Sequence, residues 1–287
     1  MKKIGKKISN VVMVLVLLAG IGFLSYPAIS NWIAQQSMNS EIQTYTASLD
    51  PEKSARALEE AYDYNRQLAA YGGRLPVDAF TEKGEGLDRG YSDMLDLSDN
   101  DVMGFIEIPI INVTLPIYHG TSEEVLQIGA GHLQGTSLPV GAEDATPTHA
   151  VLAAHSGLPN AFMFDHLDQL DYGDWFKITV AGKELWYEVE QIKVVVPSDT
   201  SDLVMVESGD YVTLVTCTPY GVNSHRLLVR GMRGDGPPPE YLDSIDGNNL
   251  LASVLIVAGI AAAISVITIF ITIRGMRKNR KRPVHAR

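Results

Sequence analysis

Two long stretches without a charged side chain, Ile8 to Ile29 and Leu250 to Ile273, constrain this chain more than any other feature. Each has about the ~20 apolar residues that a helix needs to cross a bilayer. Lys2, Lys3, Lys6 and Lys7 precede the first; Arg274, Arg277, Lys278, Arg280, Lys281, Arg282 and Arg287 follow the second. Basic flanks stay on the cytoplasmic side, so the expectation is a two-pass protein with both termini inside and the middle outside the cell. Ala28-Ile29-Ser30 also resembles a small-x-small cleavage site, which keeps a processed leader open as the competing reading of the first run. An apolar helix with a basic tail also forms the rear of a cell-wall sorting signal. No LPxTG-like pentapeptide precedes Leu250, where the sequence reads Gly236-Pro237-Pro238-Pro239-Glu240, so the second run is read as a permanent tether.

The region between the runs has the opposite character. Outside the two basic flanks, twelve basic residues face all 34 acidic ones, a formal charge of −22. Such a body repels phosphates, which argues against a nucleic-acid partner and leaves the lipid bilayer as the expected partner of the ends alone. There is one cysteine, so no intramolecular disulfide can form, and an extracytoplasmic domain with a lone thiol implies that the thiol has a task. The single Cys and scattered His lack the paired spacings of a zinc site, and neither metal nor cofactor is implied.

Punctuation divides the chain into a basic N-terminus and anchor (1–33), a helical lead-in and loop (34–101), a strand-rich domain (102–235), a Pro-rich linker (236–249), the second apolar helix (250–273) and a basic tail (274–287). Asp50-Pro51-Glu52 predicts a helix start, and Ala55, Leu58, Ala61, Tyr62 and Leu68 continue it at helical spacing up to Gly72-Gly73. Residues 74–101 read as a long loop of the kind that serves as a lid. Short strands follow at 104–108, 113–118, 149–155, 176–180, 184–196, 211–217 and 226–232, with a hairpin at Ala181-Gly182 and a short helix expected over Phe162 to Leu170. Seven or more short strands with few helices predict a mostly β fold, a closed or nearly closed barrel.

Cys217 ends the strand that begins at Tyr211, and alternation puts Tyr211, Thr213, Val215 and Cys217 on one face, with Val212, Leu214 and Thr216 on the other. If the next strand pairs with it as a hairpin, Arg226 sits opposite Cys217, where a guanidinium can favour a thiolate or bind an oxyanion. A buried structural cysteine is the alternative. A thiol nucleophile also needs a proton acceptor that can later act as an acid. His155, at a strand-to-loop edge, is the first candidate and His132 the next. His225 points to the opposite face from Arg226; His119, His149 and His166 read as surface or turn residues, and His285 lies in the basic tail.

Thr213-Leu214-Val215-Thr216-Cys217, with Arg226 nine residues on and His155 about sixty residues ahead, resembles the TLxTC…R signature of sortases, the cysteine transpeptidases of Gram-positive cell surfaces. Ile117-Tyr118-His119-Gly120-Thr121 and the run Gly131 to Pro139 also resemble family segments. The second apolar helix and the long pre-barrel segment resemble class C, the pilin-polymerising sortases. The resemblance implies an eight-stranded β-barrel flanked by two transmembrane helices. It implies Cys217 as nucleophile, His155 as general acid and base, Arg226 as oxyanion stabiliser, and Thr216 as a substrate contact. The substrates implied are pilin subunits bearing an LPxTG-like motif. Class C members carry a lid with an Asp-Pro-aromatic motif; Asp78-Ala79-Phe80 matches it without the proline, and implies that Asp78 pairs with Arg226 while Phe80 covers Cys217. Two other readings stay open: a sortase that attaches single proteins to peptidoglycan, and a non-catalytic tethered barrel.

Overall fold

The computed structural model describes residues 2–71, 77–80, 90–206 and 208–242, without the side chains of 2–18, 21 and 24. The chain divides into two compact units, Met1–Gly236 and Pro237–Arg287. In the second, only Pro237–Leu242 is described, where Tyr241 N donates to Pro238 O at 3.0 Å; the expected helix over 250–273 and the basic tail lie outside the described residues. Among the described residues, no helix is long and apolar enough to cross a membrane.

The first unit opens with α1 (Lys2–Ser48), a helix that runs through Pro27 and continues well past the apolar run read from the sequence. Its last turns belong to the body of the protein. Met38 is buried in the main core and Ala34 packs against it. Tyr45, fully buried, donates its hydroxyl to Met103 O at 3.0 Å and accepts from Ala181 N at 2.7 Å. α2 (Pro51–Ala70) starts where expected: the Asp50 carboxylate accepts from Glu52 N and Lys53 N at 3.0 and 2.9 Å, a cap worth about 1 kcal/mol. Its buried face presents Ala61, Tyr62 and Asn65. The Asn65 side-chain amide pairs with both backbone groups of Leu138, at 3.0 and 2.8 Å, and so locks α2 to the 133–147 connection that packs on the barrel core.

Eight strands form a closed barrel: β1 (Val102–Ile108), β2 (Val113–His119), β3 (Ala130–His132), β4 (Thr148–Ala153), β5 (Trp175–Val180), β6 (Lys183–Val195), β7 (Asp210–Thr218) and β8 (His225–Gly234), in the spatial order β1-β2-β3-β4-β7-β8-β6-β5. β2–β3 and β4–β7 are parallel, and the remaining neighbours antiparallel. The β5–β6 hairpin turns on Ala181 (φ 48°) and Gly182 (φ 79°), the two left-handed positions of a twist-matched turn. β3 has three residues, too few to show a period, and the sequence reading does not resolve it as a strand.

Val212 and Leu214 of β7 join the large core with Ile106, Leu115, Leu152, Phe176, Tyr187 and Val229. Val215, on the other face of β7, packs in a second cluster with Val151, Ala153, Leu203 and Leu228, which Ala79 closes and Val77 and Phe80 flank. The short segment 77–80 thus covers an apolar outer face of the barrel.

Two expectations are corrected here. Phe162 to Leu170 is not a helix; only Leu167–Gln169 forms a single 3-10 turn. The Asp165 carboxylate takes Gly157 N and Met163 N, each at 2.8 Å, and Phe164 N donates to His155 O at 3.0 Å, so side-chain and cross-loop partners displace helical pairing. His149 is not a surface residue but buried. One ring nitrogen meets Val204 O at 2.9 Å and the other the Thr213 hydroxyl at 2.7 Å. His119 is half-buried, with Nε2 2.7 Å from Met94 O. His166 is exposed, as expected.

Candidate active site

β7 and β8 pair antiparallel with Cys217 opposite Arg226 and Thr218 opposite His225. Both Cys217 and Arg226 are buried, on the outer face that segment 77–80 covers. The Arg226 guanidinium forms a fork with Asp78: Nε donates to Oδ1 at 2.7 Å and Nη2 to Oδ2 at 2.6 Å. Nη1 donates to the carbonyls of Asn223 and His225 at 3.3 Å, inside the β7–β8 turn. The Phe80 ring lies 5.0 Å from the guanidinium carbon and 5.7 Å from the His155 ring centroid. Segment 77–80 therefore touches two of the three expected catalytic side chains, one by charge and both by an aromatic face.

The electrostatics of the thiol follow from that cover. Burial raises the Cys217 pKa most, the Arg226 charge pulls it down, and the Asp78 charge pushes it back up. Asp78 thus neutralises the very cation that would favour a thiolate.

His155 follows β4 by two residues and is held at its backbone by Phe164. Its Nε2 is buried and has no hydrogen-bond partner among the described residues. Glu123 Oε1, at the start of α3 (Glu123–Leu126), approaches to 3.5 Å and forms an ion pair when the imidazole is protonated. Sequence reading missed Glu123. Its only signal was the helix start Ser122-Glu123-Glu124, where Ser122 Oγ caps Val125 N at 3.4 Å.

The other candidates go elsewhere. His132 is fully buried, between the Tyr91 hydroxyl at Nδ1 (2.7 Å) and Ser137 O at Nε2 (2.8 Å), and burial pushes its pKa down to about 4. It ties Tyr91 and the short turn that carries it to the barrel. Thr216 lies on the opposite pleat face from Cys217 and is 2% exposed; its hydroxyl donates to Ala154 O at 2.9 Å. That bond braces the chain that leads into His155.

A family profile described as the sortase domain matches residues 106–233. Sortase C1 of the group B Streptococcus pilus island 1 is 43% identical, with a TM-score of 0.62, over 70% of this chain and 93% of that one. Sortase C-1 from Actinomyces oris is 46% identical, with a TM-score of 0.59, over 64% and 99% respectively. The chain belongs to the sortase family. The solved sortases it matches over nearly their full length include these two sortase C enzymes. Among curated relatives, sortase D of Bacillus subtilis is 30% identical over 45% of this chain and 63% of that protein. The chain thus spans less than two-thirds of the curated sortases it matches. The sortase profile stops short of segment 77–80 and of both α1 and α2, so the segment that sets Asp78 and Phe80 against Arg226 and His155 lies outside the region it describes.

Proposed function

We propose that this protein is a class C sortase that joins pilin subunits. Cys217 attacks the Thr–Gly carbonyl of an LPxTG-like motif, Arg226 donates hydrogen bonds to the oxyanion, and His155 protonates the leaving glycine amine. The resulting thioester is then opened by a lysine amine of the next subunit. His155 accepts the proton and an isopeptide bond forms. Carbon–nitrogen bonds are broken and made in equal number, and no redox partner or cofactor is needed. The observation that best supports this reading is the register that sets Cys217 opposite Arg226 on a face against which segment 77–80 packs. Asp78 and Phe80 act as the lid: with the guanidinium engaged by Asp78, the oxyanion donors are occupied and the thiol is shielded until the lid lifts.

The location proposed with it is the cell membrane, with two passes, both termini cytoplasmic and the barrel outside. Holding enzyme and anchored substrates in one plane raises their effective concentration and lets aminolysis compete with water. Cys217→Ala should abolish both the acyl-enzyme adduct, read by mass spectrometry, and the Lys–Thr crosslink between purified pilins. Crosslinking at the normal rate in that variant rejects the mechanism, and a thioester that forms but transfers only to a peptidoglycan-type amine favours single-protein attachment instead.

A further inference from the structure

The −22 body is not uniformly charged. From Ile8 to Ser40 no residue carries a charge, and none does from Ser156 to Phe164. These two uncharged segments meet. Phe162 N donates to Asn31 Oδ1 at 2.8 Å, and Gln35 Nε2 donates to Phe162 O at 3.2 Å, so both backbone groups of Phe162 are pinned to one stretch of α1. The acid that follows, Asp165, turns its carboxylate inward onto two backbone N–H groups.

α1 presents Phe23, Tyr26, Ile29 and Ile33 at three- and four-residue spacing with Trp32 beside them, all exposed; Trp32 is 63% and Phe162 39% exposed. The run from Ile8 to Ile29 would fill a hydrocarbon core of ~30 Å at ~1.5 Å per residue. Trp32 then falls within one helical turn of the core's edge, where aromatic side chains anchor. Only two residues later Ala34 already packs against the barrel core, and Met38 is buried in it. No spacer separates membrane level from the body.

We propose that α1 from Ile29 to Ile33 and the 156–164 loop form one seat on the lipid headgroup layer, with Phe162 inserted beside Trp32. The inference rests on the reading of the apolar run as a membrane span. An uncharged seat also resolves an electrostatic conflict, since an acidic body is repelled by anionic headgroups everywhere else. The seat sets the height of the active site. Phe162 is five residue steps past Gly157, a reach of at most ~18 Å. Gly157 lies two residues past His155 and against the Tyr220 ring of the β7–β8 turn. The catalytic edge is therefore held within about 20 Å of the lipid surface, the level at which a sorting motif preceding its own apolar helix is presented.

The test uses the full chain with Cys217→Ala, so that a single added cysteine carries an environment-sensitive fluorophore. Trp32→Cys, Phe162→Cys and Lys53→Cys are reconstituted in phosphatidylcholine–phosphatidylglycerol vesicles. Labels at 32 and 162 should shift to the blue, be quenched by lipids spin-labelled near the headgroup and resist aqueous iodide. The label at 53, in the first turn of α2 beyond the far end of α1, should behave in the opposite way. A label at 162 as open to iodide as the one at 53, with 32 still quenched by lipid, overturns the seat but leaves the anchor. A label at 32 in water overturns both. Protection at 162 that needs an added purified pilin rather than lipid overturns the proposal in favour of a protein-docking surface, and lipid quenching at 53 overturns the assigned face.

Discussion

β4 and β7 run side by side, with a histidine at the start of β4 and another just beyond its end, and the two ends of this pair are built differently. At the start, His149 has both ring nitrogens engaged, and Asp210 accepts from Thr148 Oγ1 at 2.9 Å, Ala142 N at 3.0 Å and the Tyr187 hydroxyl at 3.2 Å. Every partner there belongs to the barrel or to its tight connections. At the other end, the His155 Nε2 has no hydrogen bond among the described residues, and the buried guanidinium of Arg226 is neutralised by a carboxylate from outside the barrel. Burial of polar groups is costly unless they are paired, so both ends satisfy most of their groups. They differ in where the partners come from: at the start the barrel and its connections supply them, whereas at the other end a separate segment supplies Asp78. Chemistry is expected at the end whose pairing is not part of the barrel framework.

The sharpest way to separate the two ends is Asp78→Ala. It removes a forked, charge-assisted pair worth about 1.5–3 kcal/mol, which corresponds to roughly a 10- to 100-fold rise in the rate of Cys217 alkylation by iodoacetamide. Burial and the Asp78 charge both hold the thiol pKa up, so their loss should also move the alkylation profile to lower pH. An unchanged rate would show that the Asp78–Arg226 pair does not shield the thiol. Asp210→Ala tests the framework end. It strands three donors and should cost about 3 kcal/mol in urea unfolding while leaving alkylation as it was. If alkylation accelerates as well, the two ends are coupled and the comparison fails.

A comparable effect, spread over more than two pH units, comes from pH. Burial pushes the His149 pKa down to about 4, below its ordinary 6.5. The unfolded chain therefore binds a proton that the folded one refuses. Stability is fully present above pH 6.5, and is lost as pH falls towards 4, at up to about 1.4 kcal/mol per pH unit for this histidine. His149→Gln should flatten that slope, leaving the contribution of His132, whose pKa is lowered by the same cause. Thermal melts between pH 7 and 4 read this directly. The smallest change is Thr216→Val, which loses one hydrogen bond to Ala154 O and about 1 kcal/mol of stability. KM for a sorting peptide should not move if Thr216 is only a brace; a raised KM would make Thr216 a substrate contact.

How much of this was legible beforehand depended on the range of each interaction. The α2 cap at Asp50, the Ala181-Gly182 turn and the alternation of β7 are set by neighbours in sequence, and the structure agrees with each. The missing helix at 162–170 failed for the same reason in reverse: its pattern was helical, but Asp165 and His155 supply partners from across a loop. His149 was misplaced because a histidine among small and apolar residues carries no local sign of the Val204 carbonyl and Thr213 hydroxyl that meet it.

By itself, the sequence determined the strand-rich domain, which rests on side-chain period, and through its resemblance to sortases it nominated Cys217, His155 and Arg226 as the candidate thiol, imidazole and guanidinium. Barrel closure, the approach of Glu123 to His155, the inward turn of Thr216 and the engagement of Arg226 by a residue 148 positions away were decided only in three dimensions. The physical reason is that hydrogen bonds and ion pairs act over a few ångströms of space, and no local pattern records which distant segments the chain will bring within that range.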